Sequence, residues 1–486
     1  MRILTGEAMS ITDSRTMIDQ NIDDKYLVKK AAKACFEILK KYVDTNKKIL
    51  IVCGNSNNSS DGFYLAKILK ENNYLVDVLY TLDINKMNKT CRYFYDEYIS
   101  LYKIVGDIKT INDYEVIIDA LIGNGLKGKL RDNISLLVDK INESNAFKIA
   151  IDLPTGLDST NGTYDNCINA DLTIAINNIK LGHLINDGSD VSGKIEIANI
   201  GLNRYEDIEY FDTVDINRYK DYFKRKNNSH KYDYGSVLVI GSNVSMPGAG
   251  LMSAMSALKS GAGLVTLTCP KENYEVVSIK APFEVMVKSI DEEDILNKKD
   301  TVVFGPGLKK DEKYLPLLRK LLTLDINLIV DADGLYLLSL IDDLRDIKKA
   351  RLAITPHLGE AGLLLNKSSR DTKDNILDSF KELIERYDCI VVLKGHNTLI
   401  GNKEKYYIST SGNPGMSSAG SGDVLSGIIA GVARKNLTLD SVVLGVYLHG
   451  LAGDLAKEEM GMTSLTACAI IDKIADAIKY IKGEGK

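Results

Sequence analysis

The chain has 486 residues, of which 45% are hydrophobic and 26% are charged, and its net charge is −5. This length predicts roughly two to four domains, and the composition is that of a globular protein. The slightly acidic balance argues against a nucleic-acid partner or a polybasic membrane surface, because both require positive potential.

Cysteine usage and the lack of targeting signals indicate the compartment. The seven cysteines are scattered and never form a Cys-x-x-Cys pair, and the five histidines show no metal-binding spacing. This pattern disfavours a disulfide framework or a zinc site and favours a reducing compartment. We find no signal peptide and no apolar run of about 18 residues. The sequence therefore predicts a cytoplasmic protein without a membrane partner.

The N-terminal half alternates apolar runs with helical patterns. A helix is predicted over Phe63–Leu69. Strands are predicted at Ile49–Cys53, Val76–Tyr80, Val116–Ala120, Lys148–Leu153 and Leu172–Ile176. Such alternation predicts a mostly parallel sheet with right-handed crossovers, here a Rossmann-like α/β/α domain of three layers.

A polar, tyrosine-rich stretch over Tyr205–Tyr234 has no clear core period, and we interpret it as the inter-domain connection. The predicted domains are residues 1–217 and 218–486. Strands then recur at Ser236–Ile240, Leu264–Thr268, Thr301–Phe304, Leu328–Val330, Leu352–Ile354 and Ile390–Leu393, with a hairpin over Thr398–Ile400 and Tyr406–Ser409. The predicted helices at the end are Val424–Ala433, Ser441–Lys457 and Ser464–Ile481.

The unusual residues of the chain follow predicted strands. In open parallel sheets, ligands bind beyond the carboxyl ends of the strands. The segments in that position are Gly54–Gly62, Gly123–Lys129, Asp152–Asp158, Gly241–Gly250, Gly305–Gly307 and Thr355–Glu360.

A run of small residues from Asn413 to Gly427 is the strongest motif. It precedes a helix predicted to begin at about Asp423, and a helix N-terminus attracts phosphate or a developing oxyanion. Asp423 could remove a proton from a substrate hydroxyl. The alternative is that Ser421 or Asp423 simply caps the helix.

Two further turns are weaker signals when taken singly. Lys394-Gly395 follows a buried strand, where a lysine can meet phosphate, although an ordinary hairpin turn is equally consistent. Thr355–Glu360 is a strand-to-helix turn carrying a histidine and a glutamate, and a lone histidine is more often structural or solvated.

Residues 225–486 resemble the ADP-dependent NAD(P)H-hydrate dehydratase family. The resemblance rests on His230-Lys231, Pro247-Gly248-Ala249, Gly305-Pro306-Gly307, Thr355–Glu360, Lys394-Gly395 and Asn413–Gly427. It implies a ribokinase-like α/β/α fold and the removal of water from hydrated NADH or NADPH, with ADP (or ATP) consumed. Leu358 departs from the proline that is usual in the family.

The resemblance also implies site residues in the C-terminal half. Asp423 would be the base on the hydrate hydroxyl, and Ala249, Gly307 and His357 would line the hydrate site. The adenine nucleotide would be held by Lys394, Gly395, His396, Asn397, Thr398 and Gly422. Mg²⁺ is implied by the nucleotide chemistry.

Three motifs follow strands of the N-terminal half. Gly54–Gly62 lacks the Gly-Lys-Ser/Thr ending of a P-loop, and alone it is more simply a polar loop before a capped helix. Asp119–Gly128 and Ile151–Asp158 each place a carboxylate at a strand end. Two carboxylates facing one crevice suit proton abstraction or the binding of a monovalent cation.

Residues 1–215 resemble the NAD(P)H-hydrate epimerase family, which is often fused ahead of the dehydratase in bacteria. The resemblance implies that Asp152 is the acid/base residue and that Asn58, Asp119 and Thr155 bind K⁺. Contacts to the hydrate would come from Asn57, Asn58, Ser59, Ser60, Asp61, Gly123, Asn124, Gly125, Leu126, Lys127, Gly128 and Lys129.

Serines replace family glycines at Ser56, Ser59 and Ser60, and Leu27–Ala32 also departs from the family pattern. If these serines required a positive φ, each would cost roughly 1–2 kcal/mol. We therefore predict that epimerisation is weakened or lost. The alternatives are a ribokinase-like small-molecule kinase, and an N-terminal domain that binds or assembles without catalysis. The family tends to assemble, so a homo-oligomer is expected, with small molecules as the other partners.

Overall fold

The structure is a computed structural model that describes residues 1–106, 108–126 and 128–484. The chain divides into two compact units, Met1–Phe211 and Asp212–Lys486. The domain boundary predicted between residues 217 and 218 lies among the first residues of the second unit.

A six-stranded parallel sheet forms the centre of the first unit, in the order β3-β2-β4-β5-β6-β7. The six strands are β2 (Lys48–Cys53), β3 (Leu75–Leu79), β4 (Val116–Ala120), β5 (Phe147–Ile151), β6 (Leu172–Ile176) and β7 (Lys194–Ala198), and the short strand β1 (Arg2–Ile3) is not part of this sheet. The helices are α1 (Gly6–Gln20), α2 (Asp24–Leu39), α3 (Asn57–Glu71), α4 (Lys89–Ile99), α5 (Asp132–Glu143) and α6 (Gly188–Val191).

The three layers of this unit follow from strands that are buried on both faces. Ile49 and Ile51 of β2 pack in one cluster with α2, α3 and α4, whereas Leu50 and Val52 pack in a second cluster with α5. Continuous apolar runs are characteristic of such strands. The predicted three-layer arrangement is therefore confirmed. Strand β7 was not predicted, because Lys194 and Glu196 interrupt its apolar pattern.

The second unit has a larger sheet, in the order β17-β16-β15-β14-β13-β12-β9-β10-β11. Its strands are β9 (Ser236–Ile240), β10 (Leu264–Cys269), β11 (Val285–Ser289), β12 (Thr301–Phe304), β13 (Asn327–Val330), β14 (Arg351–Ile354), β15 (Ile390–Leu393), β16 (Thr398–Gly401) and β17 (Tyr406–Ser409), while β8 (Phe211–Thr213) spans the boundary between the units. Strands β9 to β15 pair in parallel, and β16 and β17 are antiparallel.

Helices flank this sheet, and α7, α15 and α16 share one core cluster with it. The helices are α7 (Pro247–Lys259), α8 (Tyr274–Lys280), α9 (Leu315–Leu322), α10 (Asp333–Ser339), α11 (Leu344–Ile347), α12 (Leu358–Leu365), α13 (Ser369–Asp374), α14 (Ile376–Tyr387), α15 (Ser421–Ala433), α16 (Leu439–Met460) and α17 (Ala467–Lys482). The predicted strands and terminal helices are all present with small changes of bounds, and β11 was missed.

Helix α16 is long and apolar enough to cross a membrane by length and composition alone, which inspection of the sequence did not detect. In the structure, 61% of its most apolar 18-residue window is buried inside the protein. It packs against α15 and α17. Burial in the core of the second unit accounts for its apolar composition.

The stretch Tyr205–Tyr234, in which the sequence shows no clear core period, contributes buried residues to the packing. Phe211, Tyr219 and Tyr234 are all buried. Tyr219 belongs to a core cluster of the second unit, together with residues of α15, α16 and α17. The division between the two units lies within this stretch, and its buried tyrosines show no period because they are spaced irregularly.

Candidate active sites

The first unit contains a cavity of about 370 Å³ at the point where its strand order reverses. Strands β2 and β4 are neighbours, with β3 on the outer side of β2, so the segments after β2 and β4 flank one crevice. Asn57, Asn58, Asp61 and Asp152 all line this cavity. The structure therefore brings together motifs that are about a hundred residues apart in the sequence, as the strand pattern predicted.

Asp152 is fixed at the end of β5 in a conformation that is rare for its residue type. Its φ is +66°, and its carboxylate forms a buried ion pair with Lys180 and accepts a hydrogen bond of 3.1 Å from the Ile176 amide. Backbone strain of this kind costs roughly 1–3 kcal/mol and clusters at functional sites. Lys180 is fully buried and was not found from the sequence, because its partner is 28 residues away.

His183 contacts the backbone of Asp152. Its Nε2 lies 2.9 Å from the backbone oxygen of Asp152, and burial, followed by the charge of Lys180, lowers its pKa to about 4. The imidazole is therefore neutral at physiological pH. Because it contacts the backbone of Asp152 and not its carboxylate, its part is to hold the strained peptide in position.

The serines that replace glycines do not strain the chain. Ser56 has a φ of −97°, while Ser59 and Ser60 lie in α3, and no serine of this loop is among the non-glycine residues with a positive φ. The conformational cost considered for these positions is therefore wrong. The segment expected to be a polar loop is helical from Asn57 onward, so its backbone keeps a negative φ.

Ser59 faces the interior and does not face the cavity. Its hydroxyl accepts a hydrogen bond of 2.7 Å from the Gly54 amide and donates one of 2.7 Å to the Ala120 carbonyl. Ser59 thereby ties the start of α3 to the end of β4. Of the three serines, only Ser56 lines the cavity, where its hydroxyl also donates to the Leu121 carbonyl at 2.9 Å.

The glycine-rich segment after β4 is only partly at the cavity. Gly123, Asn124 and Gly125 line it, and the Asn124 amide donates to the Gly6 carbonyl at 2.8 Å. The lining does not include Leu126, Gly128 or Lys129, and Lys129 pairs instead with Asp165 at 2.8 Å. Lys127 lies outside the described residues.

Asp119 and Thr155 are joined by two hydrogen bonds at the ends of β4 and β5. The Thr155 amide and hydroxyl each donate to the Asp119 carboxylate at 2.7 Å. The Thr155 hydroxyl also lies against the Ile122 backbone, which adjoins Gly123, and Gly123 approaches Asn58 closely. Burial raises the pKa of Asp119 to about 6, although hydrogen bonds from Thr155 and Leu121 oppose this.

Asn58 completes this group of polar side chains. Both of its amide atoms are buried, and neither has a hydrogen-bond partner among the described residues. A buried amide without a partner is costly unless a ligand or ion satisfies it. The carbonyl of Asn58, the carboxylate of Asp119 and the hydroxyl of Thr155 are the oxygen donors that a monovalent cation requires.

In the second unit, the small-residue motif forms a helix start without a side-chain cap. Gly420 is the N-cap of α15, with a φ of +92°, and no side chain caps the helix. The alternative in which Ser421 or Asp423 serves as the cap is therefore wrong. The free amides at the start of the 13-residue helix α15 can instead bind an anion.

Asp423 lies in the first turn of α15. Burial raises the pKa of its carboxyl group to about 7, the carboxylate of Asp331 raises it further, and the charge of Lys394 opposes both. A base works best when its pKa is near the working pH. The position and environment of Asp423 therefore suit proton abstraction.

Lys394 lies among carboxylates at the end of β15. Its Nζ is 3.0 Å from Asp331 Oδ1 and 3.6 Å from Glu360 Oε2, and a Cβ added at Gly422 would lie 3.4 Å from it. Burial lowers the pKa of Lys394, but Asp331 and Glu360 outweigh this and raise it overall. Asp331 was not found from the sequence, since a lone aspartate after an apolar run carries no distinctive signal.

The Lys394 turn and the His357 turn are adjacent. His357 and Lys394 form an isolated parallel bridge, and the Lys394 amide donates to the Pro356 carbonyl at 2.8 Å. His357 Nδ1 accepts hydrogen bonds from the amides of Gly359 and Glu360 and so caps α12. The histidine is therefore structural in part, while its side chain remains 58% exposed. Leu358, in place of proline, is the first residue of α12.

Ala249 and Gly307 meet across the strand reversal of the second sheet. Gly307 has a φ of +64°, and a Cβ added there would lie 2.9 Å from the Ala249 Cβ. The Asn243 amide donates to the Gly307 carbonyl at 2.8 Å, which joins the segments after β9 and β12. Glycine is required here by both the backbone conformation and the close approach.

Two further polar residues support the small-residue motif and were not found from the sequence. Asp454 accepts hydrogen bonds of 2.9 Å from the Gly412 amide and the Asn413 side chain. His449 Nε2 lies 3.3 Å from the Ser421 hydroxyl. Burial lowers the pKa of His449 to about 4, so the imidazole is neutral.

The remaining residues predicted to hold the nucleotide belong to one tight turn. Gly395 and His396 are exposed between β15 and β16, and Asn397 and Thr398 are half-buried. Of the predicted nucleotide residues, Lys394 and Gly422 approach each other at the start of α15, where a Cβ added at Gly422 would lie 3.4 Å from Lys394 Nζ.

The sequence matches two family patterns. Residues 237–476 match the NAD(P)H-hydrate dehydratase family, and residues 24–182 match the YjeF-related protein N-terminus. The chain is 32% identical over 466 residues to the bifunctional NAD(P)H-hydrate repair enzyme Nnr of Coxiella burnetii, covering 93% of this chain and 94% of that protein. It is 31% identical to the protein of the same description from Escherichia coli, covering 91% and 87%.

Solved structures show the same fold. A hypothetical protein from Streptococcus mutans is 26% identical with a TM-score of 0.50, over 56% of this chain and 99% of its own. The ADP/ATP-dependent NAD(P)H-hydrate dehydratase of Bacillus subtilis, co-crystallised with ATP and Mg²⁺, is 23% identical with a TM-score of 0.50, over 56% and 99%. These similarities confirm the predicted ribokinase-like fold class.

Proposed function

The chain belongs to the family of bifunctional NAD(P)H-hydrate repair enzymes, and we propose that it divides the two reactions between its two units. The second unit is an ADP-dependent dehydratase of the S-hydrate, and the first is an epimerase that interconverts the R and S hydrates. One observation carries this assignment: in each unit the charge of a lysine acts on a candidate catalytic aspartate. Asp152 forms a buried ion pair with Lys180, and the charge of the partly buried Lys394 acts on Asp423 in the first turn of α15.

Dehydration requires activation of the hydrate hydroxyl, because hydroxide is a poor leaving group. Asp423 removes the proton of this hydroxyl while its oxygen takes the terminal phosphoryl group of ADP, which releases AMP. Phosphate then leaves when the carbon–oxygen bond breaks. Lys394 and the amides at the start of α15 bind the phosphoryl oxygens, where charge accumulates during transfer. Ala249, Gly307 and His357 line the hydrate side of the site.

The nucleotide is held by Lys394, Gly395, His396, Asn397, Thr398 and Gly422, and a Cβ added at Gly422 would lie 3.4 Å from Lys394 Nζ. Among the residues that the structure describes, no group of three or more His, Cys, Asp or Glu side chains is arranged to hold a metal ion. Mg²⁺ would bind with the nucleotide and would offset the charge of its phosphates. ADP is preferred over ATP on the strength of the family resemblance.

In the first unit, Asp152 is the acid/base residue and the cavity binds the hydrate. Asn57, Asp61 and Gly123 contact the substrate from the walls of the cavity. K⁺ is held by Asn58, Asp119 and Thr155, a proposal supported by their oxygen donors and by the partnerless amide of Asn58. Because the serines cause no backbone strain, we expect epimerisation to be retained.

The setting of the enzyme follows from its chemistry and its cysteines. Six of the seven free cysteines are buried and the seventh, Cys468, is exposed, which suits a reducing cytoplasm. Its partners are small molecules, namely hydrated NADH or NADPH and the adenine nucleotide. Assembly into a homo-oligomer is proposed from the family's tendency alone.

The test uses the full chain with hydrated NADH prepared as mixed epimers, together with ADP and Mg²⁺. The return of reduced-nicotinamide absorbance is followed, with spontaneous epimerisation subtracted. We expect complete recovery, which Asp423→Asn abolishes and Asp472→Asn, a change on the exposed face of α17, leaves intact. Recovery that stops at the fraction held by the S epimer would overturn the epimerase assignment.

A small-molecule kinase is the second candidate, because ribokinase-like enzymes share the Gly-x-Gly-Asp helix start. Similarity to repair enzymes along more than 90% of the chain favours dehydration. A lack of recovery with either ADP or ATP, together with a stable phosphorylated product from an alcohol, would favour the kinase.

A further inference from the structure

Asp13 lines the epimerase cavity from α1, ahead of the residues that match the family pattern. Its carboxyl group reaches the same cavity as Asp152, although the two residues are 139 positions apart. Within the part of the chain that the structure describes, no hydrogen bond or ion pair engages the Asp13 carboxyl group. The Asp13 carboxyl group therefore lies at the wall of a substrate cavity and has no assigned role there.

Charged groups from four other segments face the cavity with Asp13. They are Asp24 at the start of α2, Asp61 in α3, Asp152 after β5 and Lys180 after β6. Asp24 is engaged by the hydroxyl of Thr90, and Asp152 is engaged by Lys180. Asp61 is only 8% exposed, and its Oδ1 has no partner among the described residues.

These surroundings divide the carboxyl groups into two kinds. Asp152 is engaged in a buried ion pair with Lys180, whereas Asp13 has no such partner among the described residues. Burial raises the pKa of Asp13 to about 7. The charge of Lys180 lowers this pKa, and the charge of Asp152 raises it further. Burial raises the pKa of Asp61 well above its ordinary value in the same way. One cavity therefore contains an ion-paired carboxylate, Asp152, and a carboxyl group with a raised pKa, Asp13.

Epimerisation needs both kinds of group. Water adds to an enamine at the carbon next to nitrogen, so the hydrate carries its hydroxyl beside the ring nitrogen. When that hydroxyl takes a proton, the carbon–oxygen bond breaks, the nitrogen lone pair forms a carbon–nitrogen double bond, and water departs. Water then adds to the opposite face and gives up a proton, which leaves the total of atoms and charge unchanged.

We propose that Asp13 is a second proton carrier of the epimerase site, which protonates the departing hydroxyl while Asp152 takes the proton of the incoming water. The two roles exchange in the reverse direction. The proposal rests on the epimerase function of the first unit. Asp61, which is only 8% exposed, contacts the substrate from the cavity wall, and we assign it no proton transfer.

The test measures conversion of purified R-hydrate to S-hydrate by the full chain without ADP, so that the dehydratase is silent. The rates of the unaltered protein, Asp13→Asn and Asp13→Glu are compared, with spontaneous exchange subtracted. Asp19→Asn is the matched control, because Asp19 lies on α1, is exposed and keeps an acceptor for the Tyr205 hydroxyl. Each rate is measured at pH values on both sides of 7.

We expect Asp13→Asn to lower the epimerisation rate by about 10²-fold or more with little change in KM. Asp13→Glu should recover part of this rate, and Asp19→Asn should leave the rate unchanged. The unaltered protein should slow as the pH rises above 7, because Asp13 loses its proton, and the residual rate of Asp13→Asn should lack this fall. A purely structural role would not move the pH profile.

An Asp13→Asn protein as fast as the unaltered one, or a slower one that keeps the alkaline fall, would overturn the proposal. If Asp13→Asn shows no cooperative unfolding transition, it is not folded, and the pH profile of the unaltered protein is used instead. An epimerisation rate of the unaltered protein that does not change through pH 7 would also overturn the proposal. An unaltered protein that does not accelerate exchange at all would instead remove the epimerase function itself.

Discussion

Lys394 Nζ lies 3.0 Å from Asp331 Oδ1, and the Asp331 side chain is only 1% exposed. The two residues follow β15 and β13, which lie on either side of β14 in the second sheet. Without nucleotide, the lysine offsets the buried carboxylate. When phosphate binds, it would compete with Asp331 for the same cation, so nucleotide binding and the stability of the site are linked through this pair.

Replacing Lys394 with methionine should destabilise the second unit by about 3–5 kcal/mol, because the buried Asp331 carboxylate would be left unpaired. ADP affinity should fall as well, since a cation at the phosphate site is lost. Urea unfolding and calorimetric titration with ADP measure the two effects. The double change Lys394→Met with Asp331→Asn should restore most of the stability and none of the affinity. A single variant as stable as the unaltered protein would contradict the argument.

The dehydration rate should depend on the ionisation of Asp423, because a base acts only when it is deprotonated. Its pKa is raised to about 7, so kcat should rise as the pH increases toward 7 and level off above it. Asp423→Asn should lower kcat by about 10²-fold or more and remove this dependence. The absorbance assay, run with saturating ADP across the pH range, provides the measurement. An unaltered protein with constant kcat below pH 7 would argue against Asp423 as the base.

The same raised pKa predicts that Asp423 destabilises the folded protein. Between its ordinary value of 3.8 and about 7, the folded state binds more protons than the unfolded state, so stability falls as the pH rises. Asp423→Asn should therefore be more stable near pH 8, by about 1–3 kcal/mol after allowing for partial solvent access. The gain should vanish toward pH 4. Thermal unfolding of Asp423→Asn and of the unaltered protein at both pH values measures this difference. Equal unfolding midpoints of the two proteins near pH 8 would refute the prediction.

Gly307→Ala should destabilise the second unit by about 1–3 kcal/mol, because alanine is strained at a φ of +64° and its Cβ would meet Ala249 and Met246 at 2.9 Å. Gly248→Ala in the same region is the control, since its Cβ would meet only the flexible end of Met252 at 3.9 Å. Urea denaturation compares the two variants. Equal midpoints for both would mean that the backbone at Gly307 relaxes freely.

Potassium should raise the unfolding temperature of the first unit, relative to tetramethylammonium at the same ionic strength. Thr155→Val removes one of the proposed oxygen donors and should abolish the difference. Thr173→Val is the matched control, because Thr173 is also buried in this sheet but bonds to the Ser192 carbonyl. A thermal shift measured in both salts provides the comparison. A potassium effect that survives Thr155→Val would place the cation elsewhere.

Much of the architecture could be predicted from local patterns in the chain. The strands at Val116–Ala120 and Ser236–Ile240 are continuous apolar runs, because both of their faces are covered by helices. Asp152 and Asp423 were identified because each lies in a distinctive segment directly after a strand or at a helix start. These motifs consist of residues that are adjacent in the chain, so they can be recognised from the sequence alone.

The proton chemistry of the sites was decided by tertiary structure. Asp13, Lys180 and Asp331 lie in ordinary sequence surroundings, and their significance comes from burial and from partners that are distant along the chain. The serines of the first loop were misjudged for a related reason, because the residue type does not reveal that the helix begins at Asn57. The sequence by itself determined where the strands and their terminal motifs lie, since these depend on local apolar patterns. Only the folded chain determined which carboxyl groups hold a proton, since desolvation and charge act through space.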